Sequence, residues 1–485
     1  MKKIFLICLL LTCLHAYHKI NLNLNFKITS KVITDINNDK HKDLFIIYQG
    51  NEKHLQYYAA IYLYKNKTYK KVLTTPIADA SAFDLADLNG NGIKDFYFIK
   101  NRSVFVRFIY SKNNTFYMQQ AYMLINYPSL LSFPVFNNII NYNFVLDLNN
   151  DNQPDIVLPY YKGFRIFINK NKKYIKKQIL NCNLGAVASP FQHTSNLFQR
   201  NAILYNINLP VINITDYNRD NIKDIIIINQ NDINVFLQQK DKFISTPVII
   251  QIPQAQDNNL IQNGSLKALD FINKDNYLDI ICQYMYKNDK TISSKLIVYQ
   301  GPALKKKNNS QLYKAQKLYV FKEKGLFISF PPIIEDINND QLPDMRTFFI
   351  KISFIKALTA MWSKSTRASL KTMLQQKNNR FYMNTISDTK FEIDIKYEKP
   401  FIASIVNVRG DFNGDRISDI LIGHIDNQKV EIFKGRKNGN YSDTPMYTVS
   451  NPLYITHNVL DINNNRQDDL IMFSSATGKI AAVIF

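Results

Sequence analysis

The sequence predicts an all-β fold, a β-propeller, and three observations predict it. An acidic nine-residue pattern recurs along the chain, a β-branched run follows each regular copy, and the spacing leaves room for about four short strands per unit. Composition permits this: 46% of the 485 residues are hydrophobic and 13% aromatic, ample for packed cores and incompatible with a disordered chain. Only 14 Gly and 16 Pro exclude collagen-like or low-complexity character, and four Cys exclude a disulfide-dense scaffold or a Cys-rich zinc module.

The repeat reads Asp, any residue, Asn, any residue, Asp or Asn, three residues, Asp, then an apolar residue. Its first copy offers Asp35, Asn37, Asp39 and Asp43; the second, Asp87, Asn89, Asn91 and Asp95; the third, Asp147, Asn149, Asp151 and Asp155. The fourth offers Asp216, Asn218, Asp220 and Asp224, and a degenerate fifth begins at Phe271. The last three offer Asp336, Asn338, Asp340 and Asp344; Asp411, Asn413, Asp415 and Asp419; and Asp461, Asn463, Asn465 and Asp469. A short apolar stretch precedes each regular copy, and a run such as LFIIY from Leu44 or IIIIN from Ile225 follows it. Such runs, separated by Asn, Asp, Lys and Gly clusters, read as strands and tight turns. The acidic loop therefore joins the first strand of each unit to the second.

Eight copies predict eight four-stranded blades. Seven is the alternative, if the degenerate copy is an insertion. After the last acidic loop the chain supplies only two strands, so the stretch from Asn21 is left to close the ring as an outer strand. Closure removes the exposed edges that an open ring would carry.

Alternating Asp and Asn side chains on a tight loop converge their oxygens on one point. An all-oxygen cage suits Ca²⁺, a hard cation taking 6–8 oxygen ligands, whereas zinc or copper calls for His or Cys. An EF-hand needs Glu at position twelve; here that position holds Ile46, Phe98, Leu158, Ile227, Thr347, Ile422 and Met472. The loops at Asp35, Asp147, Asp216, Asp336 and Asp411 carry three carboxylates, and those at Asp87 and Asp461 carry two. Metal is expected in four or five loops. A left-handed turn at position six suits Gly92, Asn152 and Asn221 better than Lys40, Gln341, Arg416 or Arg466.

These acidic loops, each running into a β-strand, resemble FG-GAP and VCBS repeats, which are related to the propeller of integrin α subunits. The resemblance extends from about Lys31 to Phe485. It implies a calcium-stabilised propeller in a secreted, adhesive or carbohydrate-binding role, with ligands at the first, third, fifth and ninth loop positions. The Phe-Gly and Gly-Ala-Pro signatures of integrin repeats are absent, so integrin-like ligand binding is not implied.

Residues 1–16 read as a signal peptide: Lys2 and Lys3, an apolar stretch from Ile4 to Leu14, then Ala16 before the cut. The remainder, 17–485, is read as propeller with insertions near 181–200 and 357–374, the latter a helical element holding the one Trp. Location is then secreted, periplasmic or cell-surface, with no transmembrane segment and a monomeric chain. Cys182 and Cys282 read as unpaired. The 60 basic against 39 acidic residues give +21; Lys clusters at 70–71, 172–173, 176–177 and 305–307 fit either a basic face for an anionic polymer or edge-blunting lysines. No specific nucleic-acid partner is read from them. The expected function is a non-enzymatic binding or adhesion scaffold for a glycan or protein. A calcium-dependent polysaccharide lyase on the same fold is the enzymatic alternative.

Overall fold

Burial on both faces is what the β-branched runs accomplish. In the strand Asp43–Gln49, the side chains of Leu44, Phe45, Ile46 and Ile47 are all fully buried. Successive side chains of a strand point to opposite faces. Leu44 and Ile46 accordingly join Ile471 and Phe473 in one cluster, while Phe45 and Ile47 join Phe96 and Phe98 in another. Tyr97 and Ile99 then meet Ile156 and Leu158, Val157 meets Ile225 and Ile227, and Ile226 meets Ile280 and Cys282. Further along, Leu370 meets Ile420 and Ile422, and Leu421 meets Leu470 and Met472. The succession returns to its start, so the sheets follow one another around an axis as a β-propeller. Each fully buried Leu, Ile or Phe stabilises by about 1.5–3 kcal/mol, which makes the second strands the heaviest contributors.

The computed structural model describes residues 17–50, 56–77, 80–113, 115–132, 139–182, 186–191, 202–207, 211–218, 220–228, 232–239, 242–251, 260–270, 279–288, 291–300, 314–322, 326–329, 332–352, 365–377, 381–396, 401–402, 405–424, 428–450 and 456–485. Residues 1–16, the degenerate copy from Phe271 to Leu278, Lys305–Lys307, His193 and Trp362 lie outside them.

The sheet at Asp35 shows the common order: Lys27–Thr34, Asp43–Gln49, Tyr57–Lys65 and Thr68–Ile77, all antiparallel neighbours. Sheets of the same plan start at Val145–Leu146, Val211–Thr215, Leu260–Asp270 and Ile405–Gly410. The Asp87 sheet adds Ile140–Asn141 in parallel beside Ala82–Ala86. In the Asp336 sheet, Leu326–Ser329 and Ile333–Glu335 both pair with Asp344–Ile352. The last sheet takes Thr456–Leu460, Asp469–Ser474 and Lys479–Ile484 from one end of the chain and His18–Asn23 from the other. His18 pairs with Ile484 and Asn23 with Lys479, so the leftover N-terminal stretch serves as the outer strand.

One expectation is corrected. Residues 365–374, read as part of a helical insertion, form the strand Ser365–Gln375, third in its sheet. Ala368, Leu370 and Thr372 are buried on it while Ser369 and Lys371 are less so, and a two-residue burial period is strand periodicity. The long step in that unit is taken up by long strands, including the 16-residue Phe381–Lys396. The other insertion includes a hairpin, Ala186–Phe191 against Ala202–Ile207. Among the described residues the one helical turn is a 3₁₀ turn at Leu130–Ser132. No disulfide joins Cys182 and Cys282, which belong to different clusters. No described helix is long and apolar enough to cross a membrane. Lys70, Lys71, Lys173 and Lys176 stand exposed on outer strands.

Candidate metal centre in the acidic hairpins

Every regular hairpin is wired alike, starting with an apolar plug at position two. Ile36, Leu88, Leu148, Tyr217, Ile337, Phe412 and Ile462 are at most 2% exposed. Sequence reading wrote that position as any residue, although an apolar side chain at all seven copies was a usable signal. The plug draws the loop onto the sheet and brings its own amide to the ninth-position carboxylate.

That carboxylate is a latch. Asp43, Asp95, Asp155, Asp224, Asp344, Asp419 and Asp469 are fully buried. In each, Oδ2 accepts the position-two amide, for example from Ile36 at 2.9 Å and Phe412 at 2.9 Å. Oδ1 accepts an amide at or beyond the end of the third strand: Tyr64, Ile109, Asn169, Gln238, Gln375, Gly435 or Phe485. Loss of water nevertheless outweighs these bonds. Burial pushes Asp43, Asp344, Asp419 and Asp469 up to about 7, and Asp95 and Asp155 up to about 6. A carboxylate held so far above its ordinary value is one that a nearby cation would relieve.

The first-position carboxylate folds the loop over itself. Asp35 accepts the amides of Asp39 and Lys40, and Asp336 those of Asp340 and Gln341. Position six is left-handed in every regular copy, including Lys40 at φ 71°, Gln341 at 67°, Arg416 at 63° and Arg466 at 70°. Position four is left-handed as well at Asn38, Gly90, Asn150, Asn339, Gly414 and Asn464. Asn and Gly tolerate that conformation, so the recurrent Asn or Gly at position four was a second overlooked signal.

Neighbouring hairpins are also joined. The Lys42 amide donates to the Ile462 carbonyl, Lys94 to Ile36, Ser418 to Ile337 and Asp468 to Asp411.

Among the described residues two groups could hold a metal ion: Asp35, Asp39 and Asp43, and Asp336, Asp340 and Asp344, each with three carboxylate oxygens within 4.8 Å of one another. Two further oxygens, one in the Asp35 loop and one in the Asp147 loop, fit a cation as well. Asn37 Oδ1 and Asp147 Oδ1 are buried and accept no hydrogen bond. Buried polar atoms left without a partner are uncommon, and a bound ion is one way to satisfy them. The third-position amides take different roles: Asn37, Asn149, Asn218 and Asn338 donate to the fifth-position Asp, while Asn89 and Asn413 donate to the ninth. In the Asp411 loop a lysine supplies positive charge, Lys434 Nζ lying 2.9 Å from Asp415. Asn91 and Asn465, which replace an acid, turn their amides to the carbonyls of Ile109 and Phe485.

The repeat family described as FG-GAP-like repeat matches residues 35–98 and 411–472, so the chain carries FG-GAP-like repeats within its propeller. No curated protein matches. Similar solved structures include an Agrocybe aegerita lectin that recognises non-reducing terminal N-acetylglucosamine, at 12% identity and TM-score 0.41, covering 96% of this chain and 99% of that one. Sqt1 from Chaetomium thermophilum is similar at 6% identity and TM-score 0.42, covering 97% and 100%. The V. cholerae biofilm matrix protein Bap1 is similar at 10% identity and TM-score 0.32, covering 94% and 88%.

Proposed function

We propose that this β-propeller with FG-GAP-like repeats is an exported, calcium-stabilised scaffold that binds a glycan or protein ligand and does not itself catalyse a reaction. The observation that carries the calcium reading is the pair of buried, unpartnered oxygens, Asn37 Oδ1 and Asp147 Oδ1, inside hairpins whose other oxygens are already arranged by backbone amides. Positions one, three, five and nine of the Asp35 and Asp336 loops are the strongest candidates to hold the ion. When bound, Ca²⁺ would supply charge neutralisation to a carboxylate cluster that runs from an exposed fifth position to a buried ninth. The residues themselves set the loop's shape, hold water out and tie adjacent hairpins together.

At ~1 mM free Ca²⁺ and a Kd of ~10⁻⁴–10⁻³ M, each site adds ~0.4–1.4 kcal/mol. Export supplies such calcium concentrations, and the leader-like residues 1–16 support export. The blade number is part of the proposal: eight, one for each acidic hairpin or its degenerate counterpart, or seven if the degenerate copy is an insertion. Symmetry in projection images separates the two.

Thermal unfolding in 1 mM CaCl₂ and in excess EDTA tests the calcium reading. Chelation should lower Tm by several degrees, and superimposable curves would refute it. A glycan and protein array probed with and without calcium tests the scaffold reading. Ultraviolet-absorbing unsaturated product from an acidic polysaccharide would instead favour a lyase.

A further inference from the structure

A cleft of about 600 Å³ opens between the Asp87 and Asp147 sheets, at the end of the molecule away from the acidic hairpins. Its walls are the turn after Asp95–Lys100, the turn after Asp155–Tyr160, and the connection through Pro128 and Leu130. Second-to-third turns and outgoing connections share one face of such sheets, and the acidic loops occupy the other. The cleft and the metal cages are thus separate features.

Two arginines and two tyrosines share the lining with Pro128, Leu130 and small polar residues, and most of the exposed wall is apolar. Arg102 and Arg165 line it, with Tyr160 and Tyr161, and no acidic side chain does so among the described residues. The Arg165 guanidinium lies 4.5 Å from the Tyr160 ring centre, and its Nη1 donates to the Pro128 carbonyl at 2.6 Å. Stacking and that bond fix its direction. Its Nε is buried behind the guanidinium nitrogens and has no partner, so a ligand meets the outer nitrogens. Tyr161, beside it, is 72% exposed, and Lys162 Nζ lies 5.4 Å from its ring. Tyr127, 40% exposed, has Lys176 at 5.6 Å.

A cleft lined by two arginines and no acid favours an anion. The largely exposed Tyr161 ring, with Lys162 near it, suits a flat, weakly polar ring surface beside that anion. The cleft is open to solvent, and its volume lies within the range of small-ligand sites. It holds a few sugar rings, not an extended groove with successive stacking platforms such as single-stranded nucleic acid uses. We propose that this cleft binds an acidic oligosaccharide, with a uronate carboxylate on Arg165 and a pyranose face on Tyr161. The proposal rests on the scaffold reading and names its ligand class and place.

Titration calorimetry on the full chain, with galacturonate and mannuronate tetramers, a neutral galactose tetramer and an eight-nucleotide oligouridylate, tests it. At least one uronate tetramer should saturate the protein and exceed the neutral tetramer in affinity by roughly tenfold. Tyr161→Ala should weaken uronate binding roughly tenfold, and Arg165→Gln should erase the preference for acidic over neutral sugar. Tyr161 is a surface side chain, so its variant should keep the parent's Tm. Failure of both uronates, equal binding of the neutral tetramer, binding by Tyr161→Ala equal to the parent's, or binding of the oligouridylate alone would overturn the assignment. An array ligand retained equally by parent and Tyr161→Ala would overturn the cleft and leave the scaffold reading standing. An array with no retained ligand would remove the scaffold reading itself.

Discussion

Truncating the last latch, Asp469→Ala, separates what the backbone does in these hairpins from what a cation does. Asp469 Oδ2 accepts the Ile462 amide at 2.8 Å and Oδ1 accepts the Phe485 amide at 2.9 Å. Its loop carries only one further ligand carboxylate, Asp461, so it is a poor candidate for metal. Stranding a buried donor costs about 1–3 kcal/mol, which puts two at about 2–6 kcal/mol. Two effects pull this down. The Phe485 amide is only partly buried and regains water, and removing a carboxylate pushed up to about 7 relieves its own desolvation. The expected loss is about 2–4 kcal/mol, a large share of an ordinary domain's 5–15 kcal/mol. Guanidinium unfolding followed by far-ultraviolet circular dichroism, once in calcium and once in EDTA, measures it. The same loss should appear in both buffers. A loss below about 0.5 kcal/mol, or one confined to calcium buffer, would show that the latch reasoning is wrong.

Three further outcomes are expected. His457 is held down at about 4 by burial, with Lys31 adding repulsion. A histidine kept neutral in the fold stabilises fully above pH ~6.5, and that stability is lost as pH falls through the folded value, by about 1–3 kcal/mol. His457→Gln should flatten unfolding midpoints between pH 7 and pH 4, and an unchanged slope would count against it. Arg346 is 1% exposed, lies 3.2 Å from Glu335 and donates to the carbonyls of Val408 and Ser418. Arg346→Ala should lose about 2–4 kcal/mol because the carbonyls of Val408 and Ser418 lose their donor and half-buried Glu335 keeps only Arg409 at 3.9 Å as a cation, and adding Glu335→Gln should recover part of it. Deleting residues 17–23 uncovers the edge of Lys479–Ile484, so light scattering should report association. A monomer with the parent's midpoint would contradict the closing role of His18–Asn23.

Much of this was legible because one arrangement is written repeatedly. Aspartates at fixed spacing followed by two-sided apolar runs leave few alternatives to a hairpin feeding a strand buried on both faces. What escaped was set by contacts rather than by local pattern. Residues 365–374 contain good helix formers, yet Leu370 is buried as a strand residue against Ile420 and Ile422 of the neighbouring sheet. Lys40, Gln341, Arg416 and Arg466 disfavour a left-handed backbone by about 1–2 kcal/mol, but each donates its amide to the first aspartate at 2.7–2.8 Å, which offsets the strain. The cleft was invisible for a different reason. Arg102 and Arg165 lie in separate repeats, and only the order of the sheets makes them neighbours.

Sharing the final sheet between the two chain regions also imposes an order of events on synthesis. While the ribosome is still at work, Asp469–Ser474 and Lys479–Ile484 do not yet exist, and His18–Asn23 has no strand to join. The nascent polypeptide must remain an open arc with a waiting edge. Such an arc is easier to thread through a translocation pore than a finished toroid, and it is most exposed to mispairing in that interval.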